Sequence, residues 1–191
     1  MKSFFPALIF FSLLLSGQQA VPAGFRRIPE IMDNPELLYP FIVPDKKYEY
    51  WSVMRNHPDP DKAVIYESQM PDHLTLNDPA PEKGFFQHCT GEDCFSYLMA
   101  CENGRTRYFA TEQQLRSFIG TVDNLPEAML IANTYGYVTD SSNPGRSSYK
   151  MEDRYISLYL TSIKKGPQST ESFLIRINRK TGKAEVKKQP E

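Results

Sequence analysis

Residues 85–110 read FFQHCTGEDCFSYLMACENGRTRYFA and hold all three cysteines of the 191-residue chain. Two turn signals, Gly91-Glu92 and Asn103-Gly104, separate short runs that are rich in aromatic and aliphatic residues. Asn-Gly is a strong hairpin signal because both central residues of a type I′ turn need positive φ. The stretch therefore predicts a three-stranded antiparallel meander, and the second turn pairs Cys101 with Thr106, Met99 with Tyr108 and Leu98 with Phe109.

The cysteines predict one disulfide and one free thiol. A turn centred on Gly91-Glu92 places Cys89 opposite Cys94 in the two strands. In a non-hydrogen-bonded pair, the Cβ atoms of opposed residues approach the distance that a disulfide requires. Cys94 and Cys101 lie seven residues apart on one strand and point to opposite faces, which disfavours a bond between them. We predict a Cys89–Cys94 disulfide and interpret Cys101 as a buried, small apolar residue. A reactive or dimer-forming Cys101 thiol is the alternative.

The first 20 residues predict a secretory signal peptide. Lys2 precedes a mostly apolar run at 4–15, and a stretch of small and polar residues follows at 16–20. The run is too short to span a membrane, and no later stretch approaches the roughly 20 apolar residues that a span needs. We expect cleavage after Ala20, and a secreted or periplasmic protein in which paired cysteines are oxidised. The alternative cleavage positions are Gly17 and Ala23.

Residues 21–81 contain ten of the fifteen prolines. Proline fixes φ and lacks the backbone N–H, which disfavours a long helix or a central strand. We predict an extended arm that packs on an α+β domain formed by residues 82–191, with short edge strands at 47–54 and 62–69. The first of these carries a candidate binding surface for sugar rings, for which core packing is the alternative: Tyr48, Tyr50 and Trp51.

Two short helices and a set of strands follow the meander. Thr111 begins a capping box, and Asn124 caps a second helix with an apolar stripe. Alternation then predicts strands at 153–163, 172–178 and 183–188. The predicted fold class is α+β, with a curved antiparallel sheet of meander and C-terminal hairpins packed against two helices. In the first of these strands, the face opposite to the core carries Tyr155, Ser157, Tyr159 and Thr161.

The charge of the chain is unevenly distributed although its net value is −1. Residues 21–100 have 13 acidic and 7 basic side chains, whereas residues 164–191 have 3 acidic and 8 basic ones. Because the terminal lysines flank a strand pattern, we interpret them as protection of an edge strand against aggregation. Contact with nucleic acid or an anionic surface is the alternative, and we predict no nucleic-acid partner.

The segment 126–188 has a pattern of a helix followed by hairpin strands. The helix contains Glu127-Ala128 and Ile131-Ala132 and ends in Tyr135-Gly136-Tyr137, and the last hairpin reads FLIRINRKTGKAEV. This segment resembles the PepSY-like family of small exported α+β modules, whose last hairpin has a Thr-Gly-Lys turn. The resemblance implies a module that binds a ligand or inhibits a protease and has no catalytic constellation. A cystatin-like or NTF2-like curved sheet has nearly the same order of elements.

The reactive residue types lack the spacing of a known site. The histidines at 57, 73 and 88 and the three cysteines contain no Cys-x2-Cys unit, so we predict no metal and no cofactor. His88 and Cys89 point to opposite faces of a strand, which disfavours a Cys–His nucleophile. We predict no catalytic residue and an exported, non-enzymatic binding or inhibitory module whose partner is a protein or an envelope component. The alternative is an extracytoplasmic enzyme with a Cys/His or carboxylate site.

Intact-mass measurement after alkylation tests the disulfide. We expect the denatured, unreduced protein to take up one alkyl group, at Cys101, and the reduced protein to take up three. Two or three alkylated thiols without reductant contradict the Cys89–Cys94 bond. Because the closed loop is short, its contribution to stability is expected near the low end of about 2–4 kcal/mol.

Overall fold

The structure of the chain is a computed structural model that describes residues 20–57, 59, 62–71, 79–87, 95–140, 142–163 and 171–189. These residues form eleven strands, two α-helices and four short 3-10 turns. In chain order the strands and helices are β1 (Arg26–Arg27), β2 (Tyr50–Arg55), β3 (Val64–Glu67), β4 (Phe85–Gln87), β5 (Phe95–Glu102), β6 (Arg105–Phe109), α1 (Glu112–Ile119), α2 (Leu125–Thr134), β7 (Tyr137–Val138), β8 (Ser148–Met151), β9 (Tyr155–Ser162), β10 (Ser172–Asn178) and β11 (Ala184–Lys188). The 3-10 turns are Glu30–Asp33, Pro35–Leu37, Tyr39–Phe41 and Pro144–Arg146.

The predicted α+β class is confirmed, but the strands form two open antiparallel sheets and not the single curved sheet that was predicted. Sheet A has the order β1-β8-β9-β10-β11, and β7 pairs with the end of β9. The alternation predicted for its central strands is also confirmed, since the core-facing side chains are fully buried: Ile156, Leu158, Leu160, Ile175 and Ile177. Strand β11 lies at an edge of this sheet, as the interpretation of the terminal lysines required.

Sheet B has the order β3-β2-β5-β4, and β6 also pairs with β5. The register predicted from the Asn103-Gly104 turn is confirmed at all three predicted pairs. Strand β2 covers one edge of β5 from Ser96 to Cys101, so β4 and β6 follow each other along the opposite edge. A meander would place β4 and β6 on opposite sides of β5, so this part of the prediction is wrong: both lie on the same side, and β2, from the N-terminal region, occupies the other.

The proline-rich region contributes more than a peripheral arm. Strands β2 and β3 confirm the predicted strand positions, but the edge position predicted for the first strand is wrong because β2 lies between β3 and β5. The physical reason is local: no proline lies between Pro44 and Pro58, so every residue of β2 keeps its N–H for pairing. The 3-10 turns before it also enter the core, where Leu38 and Tyr39 are fully buried.

One hydrophobic core joins the inner faces of both sheets to both helices. Helix α1 begins as predicted, because the Thr111 hydroxyl accepts the Gln114 N–H at 3.2 Å. The Gln114 side chain accepts instead from Ala110 N, one residue before the cap, at 2.8 Å. The helix ends at Gly120, where φ is +64° and a Cβ atom would lie 2.8 Å from Asp45 Cβ. Only glycine fits this combination of backbone angle and close approach.

A buried carboxylate connects the N-terminal segment to helix α2. Glu127 is fully buried. Its Oε1 accepts the Val43 N–H at 2.7 Å, and its Oε2 accepts those of Asp123 at 2.6 Å and Asn124 at 3.3 Å. In return, the Asn124 amide donates to the Phe41 carbonyl at 2.9 Å. The capping box of α2 thus also fixes a segment 84 residues earlier in the chain.

Replacement of Glu127 by Ala tests this connection. The change leaves three backbone N–H groups without their acceptor, and an unsatisfied buried donor costs about 1–3 kcal/mol. We expect the free energy of unfolding, measured by urea denaturation, to fall by about 3 kcal/mol. The control Glu49→Ala at an exposed position should change it by about 0.5 kcal/mol or less. Equal effects of the two substitutions would contradict the structural role of Glu127.

The pH dependence of stability provides a second test. Burial raises the pKa of the Glu127 carboxyl group above the ordinary value of 4.5, against the three N–H donors, which act to lower it. The folded chain then binds this proton more tightly than the unfolded chain, so stability falls as pH rises from 4.5 through the raised pKa. We expect Glu127→Gln to remove this component from urea unfolding measured across the window, and Glu49→Gln to retain it. Identical pH profiles for the wild type and Glu127→Gln would disprove the assignment.

Candidate binding surface

The aromatic side chains proposed as a sugar-binding surface do not share an open face. Trp51 is only 7% exposed and contacts the Phe118 ring at 5.3 Å between centroids. Tyr48 stacks on the same ring at 5.0 Å. Tyr50 points to the other side of sheet B, is 3% exposed and donates its hydroxyl to Glu67 at 2.9 Å. The rings are part of the packing of sheet B, as in the alternative interpretation.

The predicted thiol is also enclosed. Cys101 is a free cysteine and only 1% exposed. Its Sγ lies 3.8 Å from the Thr106 hydroxyl, and it packs with Tyr50 and Met99 in a small cluster on sheet B. This position agrees with the interpretation of Cys101 as a small packed residue. The predicted Cys89–Cys94 disulfide and the first 19 residues of the predicted signal peptide lie outside the described residues.

The histidines of the candidate metal set lie only partly within the described residues. His57 accepts the Asp59 N–H through Nδ1 at 3.0 Å, within a local turn. His73 and His88 lie outside the described residues. Across the described ranges, no three His, Cys, Asp or Glu side chains are grouped so that they could hold a metal ion. Among the same described residues, no helix has the length and apolarity that crossing a membrane requires.

Sheet A presents its second face away from the core, and we call this surface the outer face. The strand pairings arrange its side chains in two rows that run across the strands. One row contains Lys150, Ser157, Arg176 and Glu185. The other contains Arg27, Ser148, Tyr159, Leu174 and Lys187. Both rows end in exposed charged side chains, whereas Ser148 and Ser157 within them are buried. The outer face is therefore most accessible at its two edges and partly accessible between them, at Tyr159, Leu174 and Arg176.

Contacts with neighbouring side chains hold two charged groups of the first row, Lys150 and Arg176, in place. Glu152 accepts from the Ser157 hydroxyl at 3.0 Å and lies 3.1 Å from the Lys150 ammonium group. The contact with Lys150, followed by that with Ser157, lowers the pKa of the Glu152 carboxyl, which is therefore ionised at neutral pH. The Arg176 guanidinium group lies over the Tyr155 ring, 4.2 Å from its centroid. Stacking of this kind limits the orientations of the guanidinium group.

The second row adds an aromatic pair to the outer face. The rings of Phe25 and Tyr159 contact each other with their centroids 4.7 Å apart. Phe25 belongs to the segment that leads into β1, which pairs with β8 at the edge of the sheet. The N-terminal segment thus extends the outer face beyond β8 and contributes to it both an aromatic ring and the exposed side chain of Arg27.

The segments of sheet A differ in charge from the rest of the chain. Apart from β7, sheet A is formed by segments that contain 10 basic and 4 acidic residues, at 26–27, 148–162 and 171–189. The rest of the chain contains 12 basic and 19 acidic residues. A surface of this sign attracts negatively charged partners over about one Debye length, roughly 8 Å at physiological salt.

Two concavities on the described surface offer alternative sites. One, of about 240 Å³, lies beside β1 and β8 and is lined by Gly24, Arg26, Tyr149, Lys150 and Met151. The other, of about 600 Å³, lies at the β5–β6 turn and is lined by Glu102, Asn103, Arg105, Thr106 and Arg107. Among the described residues that line them, neither concavity has a Cys–His pair or a pair of carboxylates. Both are lined mainly by polar or charged side chains, whereas small-molecule sites are usually lined by apolar ones.

The sequence contained part of the signal for the outer face. Alternation placed Tyr155 and Tyr159 opposite the core-facing residues, but the contact of Arg176 with Tyr155 and that of Phe25 with Tyr159 depend on which segments are neighbours. The chain matches no protein-family model, no curated protein and no solved structure. The structure assigns the chain to a fold class, that of α+β proteins, with two open antiparallel sheets. One of these sheets has a basic, accessible face.

Proposed function

We propose that this chain is an exported, non-enzymatic binding module of the cell envelope or the secretome, with the outer face of sheet A as its contact surface. The observation that carries this proposal is the combination of net positive charge with side chains that are already held in place. Its partner is a protein or an envelope component with a negatively charged surface. The apolar run at 4–15 supports the export, and the resemblance of residues 126–188 to PepSY-like modules supports a binding or inhibitory role.

The geometry of the outer face favours binding for an energetic reason. Association costs free energy when flexible side chains become ordered, about 0.5–1.5 kcal/mol for each immobilised side chain. Arg176 is already stacked on Tyr155, and Glu152 is already held by Lys150 and Ser157. A partner that contacts these groups avoids part of that cost. Arginine and tyrosine are also the side chains that most often contribute strongly to protein interfaces.

Site-specific photo-crosslinking tests the proposed surface. A benzoylphenylalanine at position 174, in the centre of the outer face, should form a discrete cross-linked product with envelope or secreted material from the source cells. The same group at the exposed position 113, on α1, should not. Arg176→Glu should weaken the captured partner's affinity at least about tenfold, because loss of a central arginine usually costs more than 1 kcal/mol.

The control for this substitution is Lys47→Glu, which makes the same charge change at an exposed position outside sheet A. It should retain the cross-linked product and nearly the wild-type affinity. Absence of a product at position 174, or equal products at positions 174 and 113, would disprove the outer face as the contact surface. Equal losses in Arg176→Glu and Lys47→Glu would show that net charge alone determines binding.

A further inference from the structure

We propose that the concavity at the β5–β6 turn is a binding site for a phosphate ester group, with the guanidinium groups of Arg105 and Arg107 as its main donors. This inference goes beyond the proposed function, because the site lies on sheet B and shares no residue with the outer face of sheet A. The concavity has a volume of about 600 Å³, and its described lining consists of polar and charged residues. Such a lining is unsuitable for an apolar molecule and suits a charged group.

The two arginines project from the same face of β6. Arg107 lies opposite Ala100, which is fully buried in the core, and Arg105 lies opposite Glu102. Both side chains therefore belong to the core-facing row of sheet B, yet both residues are exposed. They are two residues apart, which separates their Cα atoms by about 7 Å. The long side chains can converge on one anionic group across this distance.

Arg107 is held in position by an aromatic ring. Its guanidinium carbon lies 4.8 Å from the centroid of the Phe109 ring, which is only 3% exposed. Phe109 in turn packs edge-on against Tyr48, with the two ring centroids 6.3 Å apart. An arginine that is stacked in this way loses little further freedom when it binds an anion. The aromatic packing of sheet B thus prepares one of the two donors.

The acidic side chain of the concavity has a partner of its own. Glu102 forms an ion pair with Lys46, whose ammonium group also lies 5.3 Å from the centroid of the Tyr48 ring. Among the described residues, the guanidinium group of Arg105 has no ion pair, although Arg105 faces Glu102 across the strands. Asp45, a second acid nearby, accepts the Tyr48 hydroxyl at 3.0 Å and is not part of the lining. The charge of the two arginines is therefore left for a ligand.

The number of donors favours a phosphate group over a carboxylate. A guanidinium group has five N–H donors in a planar fork that binds oxyanions in a bidentate manner. Two such forks have more donors than the roughly four acceptor positions of one carboxylate can use. A phosphate monoester has three terminal oxygens and a charge of about −1.5 to −2 at pH 7, so both arginines can contact it at once. The same group occurs in soluble phosphate esters and in lipid headgroups.

Heteronuclear NMR of the purified chain tests the site, with glycerol 3-phosphate as the soluble probe at about 0.05 M salt. We expect saturable shifts of the Arg105 and Arg107 Nε–H signals, with a Kd on the order of 1 mM. Arg105→Gln and Arg107→Gln should each weaken binding at least about fivefold. Arg107→Lys should also weaken it, because lysine keeps the charge and loses the fork. The control Arg154→Gln, at an exposed position in the β8–β9 turn, should keep the wild-type Kd.

Two further probes identify the chemistry and the source of the bound group. Glycerate, which has a single negative charge, should bind at least about threefold more weakly than glycerol 3-phosphate. Sedimentation with phosphatidylcholine vesicles that contain phosphatidic acid tests the lipid source. Binding to these vesicles that Arg105→Gln reduces would assign the site to a headgroup, whereas binding of glycerol 3-phosphate without the vesicles would assign it to a soluble ester.

Three results would overturn the proposal. Equal affinity for glycerate and glycerol 3-phosphate would contradict the choice of a phosphate group. Equal losses in Arg105→Gln and Arg154→Gln, or shifts confined to the basic residues of sheet A, would show attraction to net charge alone. Absence of binding to both phosphate probes would also contradict the site. Because the shifts are measured on the wild type, this outcome does not depend on the stability of any variant.

Discussion

The structure depends on the hydrogen bonds that the Glu127 carboxylate accepts from Val43, Asp123 and Asn124. A buried carboxylate is costly unless its oxygens have partners. Here the partners are backbone groups at the start of α2 and in the segment before β2. The same interaction therefore begins a helix and positions the N-terminal third of the chain. Because α2 is buried over most of its surface, a change at this point affects both sheets through one core.

Strand β2 has a comparable effect on sheet B. It brings Trp51 and Val53 into the core on one face, and it brings Tyr50 against Cys101 on the other. By occupying one edge of β5, it leaves β4 and β6 to share the opposite edge. In sheet A, Tyr155 and Tyr159 lie on the face opposite the core-facing residues of β9 and are only partly buried.

Local signals in the sequence predicted local structure well. The Asn103-Gly104 turn specified the β5–β6 register, and Thr111 and Asn124 marked the starts of the two helices. Long-range relations were not predictable in the same way. Nothing near Glu127 indicates that its carboxylate accepts a hydrogen bond from Val43, and proline content concealed the internal position of β2. The division into two sheets also depends on pairings between distant segments.

The outer face of sheet A was likewise predictable only where it depends on local sequence. The alternation of Tyr155 and Tyr159 with core residues was evident in the sequence, because it depends only on the twofold repeat of a strand. The stack of Arg176 on Tyr155 was not evident, because it requires the register of β9 against β10. The positive charge of residues 164–191 was visible, but its combination with Arg27 and Lys150 on one surface follows from the strand order.

The pairing of β1 with β8 has a consequence for the time course of folding. Arg26 and Tyr149 are partners across about 120 residues of sequence. Strand β1 can pair within sheet A only after β8 has been synthesised. The hydrogen bond between Val43 and Glu127 likewise cannot form before α2 has been synthesised. Closing loops of this length costs chain entropy before the contacts repay it, so such topologies fold slowly. The N-terminal segment therefore stays without its final partners until most of the chain has been made.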